Sequence, residues 1–170
     1  MGILITIVAV LFLVLVLKKN QSRENCEVVS GHKSAVRRFR IAGLSYRCTK
    51  KDIGIVMGKV GYDPSNEHDP NAIAIISNID QPNEKLLGFI RKEDQTQFSN
   101  FAYKEKELPF LGFIEEFENE DGKRMLFGKI KAYSGEESDV EADMANDLKL
   151  LTEAFNQRNY HARIKRLDEW

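Results

Sequence analysis

The residues with the greatest capacity for chemistry lie in one short stretch, where Asp63, Asn66, His68, Asp69 and Asn71 are interleaved with Pro64 and Pro70. Aspartate and asparagine side chains accept hydrogen bonds from nearby backbone N–H groups, and each proline fixes φ and holds its predecessor extended. Ala72 to Ile76, which follow, are all apolar. The stretch therefore reads as a polar turn feeding a buried strand. Such a turn is either a self-capped connection or one whose carboxylate and amide groups are held in fixed directions for a ligand. No nucleophile–base signature, glycine-rich phosphate loop or pair of carboxylates at helical spacing accompanies it. His32, His68 and His161 are too scattered for a zinc site, and Cys26 and Cys48 form no CxxC pair. The chain is expected to bind rather than to catalyse, with neither cofactor nor metal.

At 170 residues the chain suits one domain with appendages, and its net charge of −1 names no partner. The distribution of charge is more informative. Lys18 to Lys59 holds eleven Lys/Arg against three Asp/Glu, whereas Ser134 to Trp170 holds five against nine. A basic first part could meet phosphate, on nucleic acid or on lipid. Met1 to Leu17 carries no charged side chain and ends at Lys18-Lys19, which reads as a membrane anchor at the short end of the spanning range. The Lys/Arg residues behind it place the soluble part on the cytoplasmic side with the N-terminus out. A secretory signal would carry a basic start and a small-residue cleavage site. On that topology both cysteines are expected to be reduced.

Period-two apolar patterning supplies the elements that must position the polar turn. Strands are expected over Val36 to Tyr46 with a break at Gly43, over Ile53 to Tyr62 with Ile55, Met57 and Val60 toward the core, over Ala72 to Ile76, and over Lys85 to Ile90. Arg91 to Phe98 suits a short helix. Leu108 to Phe117 and Arg124 to Tyr133 flank Asp121-Gly122, a strong hairpin signal. Val140, Met144, Leu148, Leu151 and Phe155 recur at three or four, an amphipathic C-terminal helix. Phe98, Phe101, Tyr103 and Phe110 read as core. The expected fold is mainly β with α: a small antiparallel β-barrel with one internal helix and a C-terminal helix, behind one transmembrane helix. The expected organisation is anchor 1–19, juxtamembrane linker 20–34, barrel domain 35–133, and an acidic linker with amphipathic helix over 134–170.

Three segments carry a family resemblance. Phe39-Arg40-Ile41-Ala42-Gly43-Leu44-Ser45-Tyr46-Arg47 resembles the opening strand of HIRAN domains. Asp63-Pro64-x-Asn66-x-x-Asp69-Pro70-Asn71-Ala72-Ile73 is similar to that family's central motif, and Leu86-Leu87-Gly88-Phe89-Ile90-Arg91-Lys92-Glu93 to its strand-to-helix segment. The resemblance covers about Val36 to Tyr133 and implies a barrel akin to an OB or SH3-like fold. It also implies a grip on the 3′ end of single-stranded DNA: a carboxylate accepts a hydrogen bond from the terminal hydroxyl, aromatic rings stack bases, and cations hold phosphates. By that resemblance Asp69 is the hydroxyl acceptor, Asn66 positions it or the terminal sugar, Tyr46 stacks, His68 occupies an often aromatic position, and Arg47 and Lys92 contact phosphate. Ser45 stands where the DNA-binding member has arginine, Phe89 where it has histidine, and Arg47 where it has tyrosine. Each lost base–aromatic stack would cost about 1–3 kcal/mol.

Every one of these residues also has a structural reading. Tyr46 suits a core or cross-strand aromatic as well as a platform, and Asp69 suits a turn cap. Arg37, Arg38 and Arg40 are solvated strand charges unless they share a face with the site. The expected function is a membrane-tethered single-stranded nucleic-acid-binding module preferring 3′-hydroxyl ends. It would work with a protein partner that supplies the ATPase or nuclease usually fused to such a domain. The alternative is a membrane-anchored adaptor whose barrel holds a protein. The near balance of sixteen basic and fifteen acidic residues from Ser34 to Tyr133 favours that alternative.

Overall fold

The computed structural model describes residues 34–78, 81–102, 107–119 and 121–170. The expected membrane anchor, the linker up to residue 33, Cys26 and Tyr103 lie outside the described residues. Among the described residues no helix is long and apolar enough to cross a membrane.

Six antiparallel strands close into a barrel in the order β1-β4-β3-β2-β5-β6. They are β1 Ala35–Ala42, β2 Gly54–Tyr62, β3 Ile73–Ser77, β4 Lys85–Ile90, β5 Glu107–Glu118 and β6 Arg124–Ser134. Strand β1 closes the cylinder by changing partners. Ala35 to Arg40 pair with β6, and Ile41 and Ala42 pair with Ile90 and Phe89 of β4. That hand-over brings two backbones close. A Cβ on Gly88 would lie 2.2 Å from the Ala42 carbonyl oxygen, so only glycine fits there.

The expected first strand is corrected at its end. Its pairing stops at Ala42, Gly43 takes a positive φ of 84°, and Leu44–Arg47 form a helical turn, α1. The reason is local. Leu44 drops into the barrel mouth while Ser45, Tyr46 and Arg47 stay exposed, a division that strand alternation would not produce. Met57 is also corrected, because it is 46% exposed and faces outward.

The barrel interior is lined by Phe39, Ile41, Val60, Ile73, Ile75, Leu87, Ile90, Leu108, Phe110, Ile114 and Ile130. One mouth is plugged by Phe98 from α2, Gln95–Phe101. Its ring meets Phe39 and Tyr62 edge-on, at centroid distances of 5.7 and 6.0 Å. Full burial of a ring this size contributes about 1.5–3 kcal/mol.

A second core lies outside the barrel. Leu111, Phe113 and Tyr133 project outward from β5 and β6 and are covered by α3, Glu137–Phe155, and α4, Tyr160–Glu169. The sequence pattern anticipates the first of these helices but not the second. Strand β5 is therefore buried on both faces, which explains its nearly continuous apolar run. The polar groups trapped under α3 converge on one carboxylate. Asp147 accepts from the Lys131 ammonium and from the Tyr133 hydroxyl, the latter at 2.7 Å, and Lys131 also lies 4.3 Å from the Trp170 ring centroid. Helix α4 is tied down by Arg163, whose guanidinium pairs at 2.8 Å with buried Glu115 of β5.

Burial raises the Tyr133 pKa, and the hydrogen bond to Asp147 raises it further. Tyr133 thus binds its proton more tightly folded than unfolded. Its contribution is complete below the unfolded value of about 10 and is lost as pH rises beyond it. Chemical denaturation followed between pH 8 and 11 is expected to show stability falling above about pH 10, with a shallower fall in Tyr133→Phe. Gly88→Ala is expected to destabilise by about 3 kcal/mol or more, read as a lower denaturation midpoint.

Candidate nucleic-acid interface

The turn from Asp63 to Ala72 is built by three side chains spaced three residues apart, each capping the backbone ahead of it. Asp63 accepts from the Ser65 N–H at 3.1 Å and the Ser65 hydroxyl at 2.6 Å. The Asn66 side-chain oxygen accepts from the N–H groups of His68 and Asp69, both at 3.0 Å. Asp69 accepts from the Asn71 N–H at 3.0 Å. The Asp63 N–H donates to the Ala72 carbonyl at 2.9 Å and closes the loop onto β3. Such side-chain-to-backbone bonds fix the loop without a ladder of its own.

The second oxygen of Asp69 accepts from the Gln95 side-chain amide at 2.8 Å. Gln95 is itself positioned from the core. Phe98 lies three residues on in α2, and the Tyr62 hydroxyl donates at 2.7 Å to Ser99, whose own hydroxyl donates at 2.8 Å to the Gln95 carbonyl. The Gln95 amide first, the Asn71 N–H next and the nearby Lys92 charge hold the Asp69 carboxyl below the usual carboxylate range. At neutral pH it is an anion, and each oxygen retains a lone pair for a further donor.

Tyr46 and Arg47 sit on α1, beside the β1–β4 junction. Tyr46 is 91% exposed, so the core reading of this ring is excluded. The Arg47 guanidinium lies 5.1 Å from the centroid of Phe89. Stacked there, it keeps its in-plane N–H groups available to a phosphate. Phe89 pairs across the sheet with Ala42 on one side and Ala74 on the other, and Ala74 is one residue on from Ile73, the partner of Tyr62. Arg91 and Lys92 follow directly after β4.

The site residues expected from sequence thus fall into two groups flanking the end of β4. Asn66, Asp69 and Lys92 form one, with Gln95, and His68 is exposed on the same turn. Tyr46 and Arg47 form the other, with Phe89. Asn66 has its side-chain oxygen committed to the turn, so its free amide is the part left to face a ligand. The resemblance did not supply Gln95, yet a signal existed: it lies three residues after Lys92, the spacing that puts two side chains on one helical face. Phe89 as a floor for Arg47 had no signal in spacing. Cys48, next to Arg47 in the chain, is a free, buried thiol whose pKa is raised by burial. Among the described residues no cluster of His, Cys, Asp or Glu is arranged to hold a metal ion.

No protein-family model matches this chain, and neither a curated protein nor a solved structure matches it significantly.

Replacing Gln95 with Ala is expected to raise the Asp69 pKa toward the ordinary carboxylate value, because its largest stabilising donor is lost. Carboxyl chemical shifts followed through a pH titration read the change, and an unmoved Asp69 would separate Gln95 from the site.

Proposed function

We propose that this chain is a non-enzymatic module that binds single-stranded nucleic acid and prefers 3′-hydroxyl ends. In this reading the barrel is of the OB or SH3-like kind found in HIRAN domains, and the apolar segment over residues 1–19 tethers it to the cytoplasmic face of a membrane. The observation that carries the reading is the coincidence of a fully offered aromatic ring, Tyr46, with an ionised and pre-oriented carboxylate, Asp69. An acceptor fixed by two donors is suited to a hydroxyl and repels a phosphate in the same place. Lys92 and His68 are exposed beside that acceptor, and Arg47 is exposed in the group with Tyr46; they supply cations and a ring to the penultimate nucleotides.

A specific observation favours a second reading. The Phe89 ring is covered by Arg47, so Tyr46 is left as the main stacking surface and a base has one platform rather than two. A membrane-anchored adaptor using the same barrel for a protein would need no second platform.

Fluorescence anisotropy with the full-length protein in mild detergent distinguishes the two. A 3′-hydroxyl oligonucleotide is expected to bind with micromolar-range affinity that weakens with salt, and its 3′-phosphorylated counterpart to bind at least several-fold more weakly. Asp69→Ala is expected to abolish that difference, and Tyr46→Ala to cost about 1–3 kcal/mol on both ligands. Equal binding of the two ends, or none, removes the nucleic-acid reading.

A further inference from the structure

A cleft of about 540 Å³ opens between the first half of β1 and the first half of α3. Arg37 and Arg38 line it from β1, Gln97 from α2 and Asn146 from α3. Two carboxylates also face it, and both are already committed. Asp143 accepts from the N–H and the hydroxyl of Ser34, at 3.0 and 2.6 Å. Asp147 takes the Lys131 ammonium and the Tyr133 hydroxyl. Neither Arg37 nor Arg38 is in an ion pair among the described residues. Both are exposed. Arg37 and Arg38, neighbours on a strand, leave it on opposite faces, so the cleft wraps the edge of β1. Lys131 meets the charge of Asp147, whereas Asp143 holds only the neutral donors of Ser34. Three cations against two carboxylates leave the cleft a net positive charge, with two amides able to donate.

Its position relative to Asp69 gives the charge a purpose. Gln95 and Gln97 are two residues apart on α2, so they leave the helix about 200° apart around its axis. Gln95 reaches Asp69 and Gln97 lines the cleft, which places the two sites on opposite sides of one short helix. A helix with its side chains is about 10–12 Å across. Phosphates in a stacked strand repeat about every 3.4 Å, so a strand ending at Asp69 spans that width in about three or four nucleotides.

We infer that the Arg37–Arg38 cleft is a phosphate-binding subsite that receives the sugar–phosphate backbone three or four nucleotides in from the bound end. This rests on the end-binding reading above and extends it from a terminal contact to a directed track. The strand would cross α2 and run toward the N-terminal end of β1. Guanidinium groups suit the task because their forked donors match phosphate oxygens.

The test compares a dinucleotide with a decanucleotide, both ending in a 3′-hydroxyl, on the full-length wild-type protein and on Arg37→Gln/Arg38→Gln. The wild type is expected to bind the longer strand about tenfold more tightly, since only that strand reaches the cleft. The double variant is expected to lose that gain and to show a salt slope shallower by about 1.4, the value for two phosphate contacts on a single strand. Its preference for a 3′-hydroxyl over a 3′-phosphate is expected to persist. A wild type with no length gain, or a variant with wild-type decanucleotide affinity, overturns the cleft while a retained end preference leaves the terminal site standing. Loss of binding to phosphatidylserine vesicles in the variant, with decanucleotide binding unchanged, would assign the cleft to lipid and overturn the inference. Absence of any oligonucleotide binding by the wild type overturns both.

Discussion

The outer half of this molecule depends on the Asp147 carboxylate. Strands β5 and β6 can be buried on two faces only if the polar tips on their outer face find partners under α3, because an unpaired buried charge is far costlier than a paired one. Lys131 and Tyr133 both end on Asp147, and Trp170 closes over the lysine. Removing one member of such a pair costs about 3–5 kcal/mol. With that network satisfied, α3 and α4 stay on the β5–β6 side of the cylinder. The Asp63 to Ala72 turn and helix α1 contribute nothing to that outer core, and the candidate interface is built from them.

Within the interface the same atoms serve structure and recognition. Asp63, Asn66 and Asp69 each cap the turn they belong to, and the turn would lose its shape without them. Asp69 differs from the other two in having its free oxygen fixed by a side chain from another element, Gln95, which is itself braced by Tyr62 and Ser99. A carboxylate braced from two directions loses little freedom when a donor arrives. The entropy of orientation has been spent in folding. That is the difference between a turn that is merely capped and one that is pre-organised.

The architecture was legible where one periodicity ruled. The span of β2, the apolar run of β3 and the Asp-Gly hairpin between β5 and β6 were all readable, as was the apolar stripe of α3. What escaped was set by tertiary contact. Leu44 turns inward because the barrel mouth is there to receive it, and the chain follows with a helical turn where residue types suggested continued strand. Met57 has the hydrophobicity of a core residue but the parity of an outward one. The short stripe of α4 was hidden by its charge, and it docks through the Arg163–Glu115 pair and the terminal Leu167 and Trp170. At the site, Asp69, Tyr46 and Lys92 came from a motif resemblance, whereas Gln95 and the Phe89–Arg47 stack depend on which side chains the fold brings face to face.

Because β1 hands over from β6 to β4, the seam that closes the cylinder is only two residue pairs long, Ile41 with Ile90 and Ala42 with Phe89. The other five seams are longer ladders. Recognition by strand addition, which seizes an extended peptide through its main chain, needs an unpaired stretch of strand edge. Along the five longer seams a ligand must be read by side chains and turns, and main-chain pairing is confined to the edges beside the short one.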